Sequence, residues 1–342
     1  MQTKERTIKI LKTIVEEYIS SGEPVGSKLV CSALDIDVSP ATVRNEMVKL
    51  TDMGLLTQPH TSAGRQPSEA GFRLYVHSLM SSKTLSSSDK AIISERLNKC
   101  SDPDKLITSA AETAANMLNS LAVVTTPFSE NERIHRLKFV QIGRQTCMIV
   151  LITTKGLVKT KLFKCDYVIT HDIVNIYETM FNRDMVGLPV RSVTPAYVQT
   201  QAVKLGEVAL LVPSVLAAIM DACRDVGEFD IAVSGRERLL HSSENDINEL
   251  RLLLKFLHSD DSLKSLIMKL RSGSKFLIGS ELGGEPLSQF SFAASPYMLE
   301  GTSGGFVTVL LPIRYDYAYA EAVLDYISEV TGRLLKEMLM IE

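Results

Sequence analysis

The sequence lacks any apolar run near the roughly 18 residues that a membrane-spanning helix needs, so no spanning segment is read in its 342 residues. It lacks a His-Glu-x-x-His pair, a Gly-x-Ser-x-Gly elbow and a P-loop. Gly301-Thr-Ser-Gly-Gly305 has no Gly-Lys-Ser/Thr behind it and reads as a turn before a strand. The five cysteines (31, 100, 147, 165, 223) are scattered and contain no Cys-x-x-Cys. They read as reduced core residues of a cytoplasmic protein, not as a disulfide framework or a zinc site. The first residues, Met-Gln-Thr-Lys-Glu-Arg, open a charged helix and not a secretory leader. An excess of positive charge is missing too: the net charge is −3, which excludes a broadly basic glove for polyanions. No residue is assigned a catalytic, metal or cofactor role, and an enzyme is not expected.

What is present is 45% apolar residues, enough for ordinary buried cores, in a length suited to two or three domains. The most specific pattern runs from Ser39 to Arg73. Ser39 is a good N-cap and Pro40 suits the first helical position. Gly54 can take the left-handed conformation that stops a helix. A helix is therefore predicted over about 40–53. Val43, Met47 and Leu50 share one face of it, which should be buried. Ala41, Thr42, Arg44, Asn45 and Val48 lie off that face. Arg can take guanine bidentately, Asn can take adenine, and Thr can meet a base edge or a thymine methyl. Their place in the first turns is where a recognition helix meets bases.

Upstream, Thr3–Ser20 reads as a helix with Ile8, Leu11, Ile14, Val15, Tyr18 and Ile19 as its stripe. Ser27–Leu34 reads as a second helix with Ser27 as cap, and Asp35–Val38 as the turn into the third. Downstream, Leu55–Gln58 and Arg65–Pro67 read as a hairpin, or wing, with His60 and Arg65 toward its tip. Either side chain can enter a minor groove or hold phosphate. Ser68 then caps a helix carrying Phe72, Tyr75, Val76 and Leu79. Residues 1–80 hold nine Lys/Arg and nine Asp/Glu. Positive surface must therefore be local, built from Lys28, Arg44, Lys49, Arg65 and Arg73. Few phosphate contacts per subunit follow, so useful affinity needs two subunits on one duplex.

Gly22-Glu-Pro-Val-Gly-Ser-Lys28, Ser39-x-Ala-Thr-Val-Arg-Asn-Glu-Met47, Gly54-Leu-Leu-x-Gln-Pro-His-Thr-Ser-Ala-Gly-Arg65 and Gly71-Phe-Arg-x-Tyr-Val76 together resemble the HrcA family of heat-inducible transcription repressors. Phe276-Leu-Ile-Gly-Ser-Glu281 and Leu311-Pro-Ile-Arg-Tyr-Asp-Tyr317 are similar to later blocks of that family. The resemblance implies an α+β multidomain protein: a winged helix-turn-helix, then a GAF-like antiparallel-sheet domain interrupted by a mainly helical dimerising insertion. It implies a homodimer that binds the CIRCE inverted repeat in double-stranded DNA upstream of chaperone operons. It further implies release on heating and return to the binding form with a GroEL-type chaperonin.

The remaining chain is read within that frame. Winged helix occupies 1–80, and the serine-rich 81–88 is a linker. The GAF-like domain takes 89–166 and 269–342, and the insertion 167–268. Residues 89–124 read as mostly helical, split near Ser101-Asp-Pro103. Strands are expected at 138–142, 147–153, 157–163, 276–279, 288–293 and 306–311, with a short buried strand at 230–235, and helices at 170–181, 209–226, 245–257 and 318–340. Lys155-Gly156 reads as a hairpin turn. Leu210–Met220, the most apolar stretch of the insertion, is either plain core or a subunit interface. Arg314 and Asp316 suit a structural pair at a strand end. The DNA-contacting set is Lys28, Ser39, Ala41, Thr42, Arg44, Asn45, Lys49, His60, Arg65 and Arg73. A rival reading keeps that end and makes the signal a small molecule in the GAF-like domain.

Overall fold

Four buried apolar clusters organise the chain, each assembled where the period of a helix or strand turns its apolar residues to one side. The structure, a computed structural model, describes residues 2–34, 38–60, 63–128, 132–154, 156–204, 213–241, 253–270, 275–284, 287–299 and 302–339. Residues 35–37 of the expected turn at 35–38, part of the hairpin tip at 61–62 and most of the expected helix at 245–257 fall outside them.

The N-terminal unit consists of α1 (Gln2–Ser21), α2 (Ser27–Ala33), α3 (Pro40–Asp52), the antiparallel pair β1 (Leu56–Thr57) and β2 (Gln66–Pro67), and α4 (Glu69–Leu74). A π-helical turn, Tyr75–Leu79, extends α4. Ile10, Leu11, Ile14 and Val15 of α1 bury against Val43, Met47 and Leu50 of α3. The caps act where their chemistry requires. Ser39 accepts from the Thr42 N–H, and Ser68 from the Gly71 N–H at 3.1 Å. Gly54 ends α3 at φ +73°. The cap of α2 differs from expectation: it falls on Gly26 and uses no side chain, with Ser27 already inside the helix.

The second unit is a five-stranded antiparallel sheet in the order β7-β3-β10-β9-β8. Its strands are β3 (Leu121–Thr125), β7 (Ile231–Ser234), β8 (Phe276–Ile278), β9 (Phe290–Leu299) and β10 (Thr302–Pro312). Alternate residues fill two cores. Ala122, Val124, Tyr297, Val307 and Val309 face α5 (Ser87–Asn98), α6 (Pro103–Leu118) and the C-terminal helix Tyr317–Leu339. Leu121, Val123, Phe292 and Leu310 face the other side, with Leu263, Leu266 and Ile267 of helix Asp260–Leu270.

Two sequence expectations change here. Residues 121–124, expected as helix, are strand β3. Asn119 takes the left-handed conformation at φ +46° and stops α6, and the β-branched Val123 and Val124 then sit fully buried between β10 and β7. Residues 230–235 are not a buried strand: β7 is an edge strand and only half-buried.

The third unit packs the sheet β4 (Ile134–Gln141), β5 (Thr146–Thr153) and β6 (Val158–Lys164) against α7 (His171–Met185) and α9 (Pro213–Gly227), with α8 (Pro195–Lys204) between them in sequence. Leu137, Phe139, Ile149 and Phe163 share one core with Tyr177, Phe181, Val215 and Ile219. The buried clusters thus group the chain differently from the sequence partition. Strands 134–164 belong with the helices after them, whereas β7 and helix Asp260–Leu270 belong with the five-stranded sheet. Within Leu210–Met220, the described Val215, Leu216 and Ile219 are core, because α9 lies along β6. Residues 81–88 are not a free tether. Leu85 is buried beneath the sheet, Lys83 donates to Asp316 at 2.6 Å, and Ser86 caps α5. Asp316 therefore pairs with Lys83 and not with its neighbour Arg314.

Ile327 is fully buried on the C-terminal helix against the sheet. Replacing it with Ala should cost about 2–5 kcal/mol and lower the urea midpoint; an unchanged midpoint would contradict this packing.

Candidate nucleic-acid interface

The surface beside α3 is built by three local features. The Ser39 cap and Pro40 start the helix so that Ala41, Arg44 and Asn45 stand exposed in its first turns, while Val43 and Met47 anchor the opposite face. The hairpin is pinned beside it by backbone bonds in both directions between Val25 and Arg65, at 2.8 and 2.9 Å. Gly64 is needed there: a Cβ would stand 2.5 Å from the Val25 carbonyl oxygen. Inside the hairpin, Gln58 Nε2 donates to the Ala63 carbonyl at 3.0 Å. Between α3 and the hairpin lies an open cleft of about 470 Å³, lined among others by Ser27, Arg44, Val48, Gln58 and Arg65. Arg65 Nε is buried there and has no hydrogen-bond partner among the described residues.

The sequence-predicted set divides on this surface. Arg44 and Arg65 come together on the cleft. Ala41, Asn45, Lys28 and His60 are exposed, none of them on the cleft wall. Ser39 and Thr42 meet each other, with hydroxyls 2.9 Å apart, so the Thr42 hydroxyl is engaged at the cap. Lys49 turns away and pairs with Glu46 at 3.0 Å. Arg73 ion-pairs with Glu281 of the five-stranded unit, at the far end of α4.

Glu46 is the residue that the sequence reading passed over. Its side chain is 2% exposed and takes Thr7 Oγ1 at 2.7 Å, Arg6 at 3.1 Å and Lys49 at 3.0 Å. These bonds, Thr7's foremost, overcome the burial penalty and hold its carboxyl at about 2, well below its ordinary 4.5. The carboxylate therefore fastens α3 to α1 from behind the exposed face. A signal was available: Glu46 lies three residues after Val43 and beside Met47, on the buried side of the helix.

Comparison with known proteins establishes the class first. Proteins named heat-inducible transcription repressor HrcA align along nearly the whole chain. That of Natranaerobius thermophilus is 30% identical over 98% of this chain and 98% of its own length. Those of Laribacter hongkongensis (30%; 98% and 95%) and Carboxydothermus hydrogenoformans (29%; 97% and 98%) agree. The class is a transcription repressor acting in the heat-shock response. Residues 104–320 match the family model described as the HrcA protein C terminal domain, and the chain belongs to the HrcA family. A crystal structure described as a hypothetical protein at 2.2 Å resolution superposes with a TM-score of 0.55 at 23% identity, over 97% of this chain and 98% of that one, which supports the fold. Among the described residues no helix is long and apolar enough to cross a membrane.

Because the folded carboxyl of Glu46 ionises below its ordinary value, its stabilisation is complete above 4.5 and disappears as pH falls toward about 2. Glu46→Gln should lower stability at pH 7 by on the order of 1–2 kcal/mol, since the partners are partly solvated, and converge with the parent at low pH. Urea midpoints at several pH values check this; a constant gap down the series would remove the carboxylate from the account.

Proposed function

We propose that the N-terminal unit is a winged helix-turn-helix that reads double-stranded DNA. In this reading Ala41, Arg44 and Asn45 enter the major groove from α3, Arg65 and His60 work from the wing, and Lys28 holds phosphate. Ser39 and Thr42 shape the helix start, and Lys49 and Arg73 serve structure before contact. The observation that carries the reading is the exposed first turn of α3 beside a cleft bearing both Arg44 and Arg65. The equal counts of acid and base in residues 1–80 favour a dimer, since one subunit offers few phosphate partners. A palindromic operator of the CIRCE type matches such two-fold symmetry.

The second unit is read as the GAF-like domain and the third as the dimerising insertion. What favours the third unit is its outer sheet face. Rows Val140–Met148–Leu162, Lys138–Val150–Thr160 and Arg136–Ile152–Val158 cross the three strands on the side away from the helix-packed core, and Val140, Val158 and Leu162 are exposed. A patch of that kind suits burial against a second copy. Bound at chaperone promoters in the cytoplasm, the dimer blocks transcription. Heating releases it, and a GroEL-type chaperonin assists its return. The rival reading, a small molecule held in the five-stranded unit, gains less support, since side chains pack both faces of that sheet.

Arg44→Ala should weaken binding to the inverted repeat of the organism's chaperonin promoter by roughly 1–3 kcal/mol and relax base choice at one position per half-site. Gel shifts in which the variant binds like the parent would overturn the assignment of α3. Operator affinity should also fall within tens of degrees of heating, as a margin of about 5–15 kcal/mol is consumed. Affinity that stays flat through heat-shock temperatures, without chaperonin, would reject direct release.

A further inference from the structure

The two late sequence blocks, Phe276–Glu281 and Leu311–Tyr317, have no part in the DNA surface, yet both lie on the seam that carries it. Ile278 and Tyr317 are buried in the same cluster as Phe72 and Tyr75 of the N-terminal unit. The Tyr317 ring lies 6.3 Å from Phe72 and 5.8 Å from Phe276, edge-on to the latter. Polar ties flank this strip. Glu69 accepts from the Ser280 N–H at 3.1 Å, and Arg73 pairs with Glu281, whose other oxygen accepts from the Ile278 N–H at 2.9 Å.

Both ties belong to α4, and α4 is joined directly to the reading elements. The Ser68 N–H donates to the Leu55 carbonyl at 3.1 Å, and Ser68 Oγ to the Gly54 carbonyl at 2.6 Å, just past the end of α3. Open clefts of about 660 and 380 Å³ lie along the seam. The apolar strip is thus flanked by open clefts, with the two polar ties beside it.

We infer that Glu69 and Glu281 are positioning residues that set the angle of α3 relative to the body, and through it the half-site separation that a dimer accepts. This rests on the two-fold reading under Proposed function. Two subunits joined through their bodies present two α3 helices, and each hangs from its own seam. Loosening one tie lets α3 swing without touching its base-facing side chains. Half-site recognition then survives while discrimination by spacing declines.

The test uses the full-length protein and duplexes bearing the inverted repeat of the organism's chaperonin promoter. One set has its spacer lengthened or shortened by one and two base pairs, and another duplex carries a single half-site. The parent should prefer the natural spacer over a two-base-pair change by about tenfold or more, because such a change rotates and displaces one half-site relative to the other. Glu281→Arg, which opposes Arg73, should compress that preference to within about threefold and leave single half-site affinity unchanged. Reversing the pair, Arg73→Glu in the Glu281→Arg background, should restore part of the preference, the Ile278 N–H being left without its Glu281 acceptor. If Glu281→Arg does not fold, Glu69→Ala, which removes the bond to Ser280 without adding charge, is read in the same way. A variant that keeps the parent's spacing profile, or a reversed pair that restores nothing, overturns the inference while leaving DNA reading intact. A parent indifferent to spacing overturns the two-fold reading itself.

Discussion

The buried strip around Tyr317 is the contact on which the arrangement of this protein depends. Tyr317 is 1% exposed and opens the C-terminal helix, which forms the floor of the five-stranded sheet. Its ring also closes the apolar cluster beneath α1, α3 and α4. Phe276, edge-on to Tyr317, packs against both this cluster and the core beneath the sheet. The Tyr317 hydroxyl donates to the Ile313 carbonyl, so the polar end is satisfied while the ring is fully enclosed. The N-terminal unit is thus seated on the five-stranded unit through a packed apolar contact.

Electrostatics follow from that packing. Acidic and basic residues balance in the first 80 positions, but they are not spread evenly. Glu46 draws Lys49 and Arg6 to the rear of α3, and Glu281 draws Arg73 to the seam. Arg44 and Arg65 are left to line the cleft beside the helix. The cations that a composition count treats as equal therefore do separate jobs: some hold the N-terminal unit together, and two give its cleft a local positive character. Positive charge on this unit is therefore local and not spread over its surface.

Much of the N-terminal unit was legible because its signals are local. A cap hydroxyl, a proline and a left-handed glycine act within a few residues, so the start and stop of α3 could be placed before any contact was known. The apolar spacing of Val43, Met47 and Leu50 likewise identified its buried face. Strand β3 was misread as helix because Leu121–Thr125 is short and apolar, a pattern that periodicity alone cannot assign. Its neighbours β10 and β7 lie more than 100 residues away and decide the matter. The partition of the third unit was missed for a related reason: a strand's alternation shows that one face is buried, not against which helix.

The sequence by itself determined the family, the position and outward residues of α3, the hairpin beside it, and the alternation of the sheet strands, since all of these are encoded in short-range chemistry and contiguous motifs. Only the tertiary structure decided that Glu46 is a buried clamp, that Arg73 pairs with Glu281 across the seam, that β4–β6 share a core with α7 and α9, and that Tyr317 joins two units. Each of those outcomes depends on which distant surface a side chain meets, and that is settled by packing and desolvation, not by neighbours along the chain.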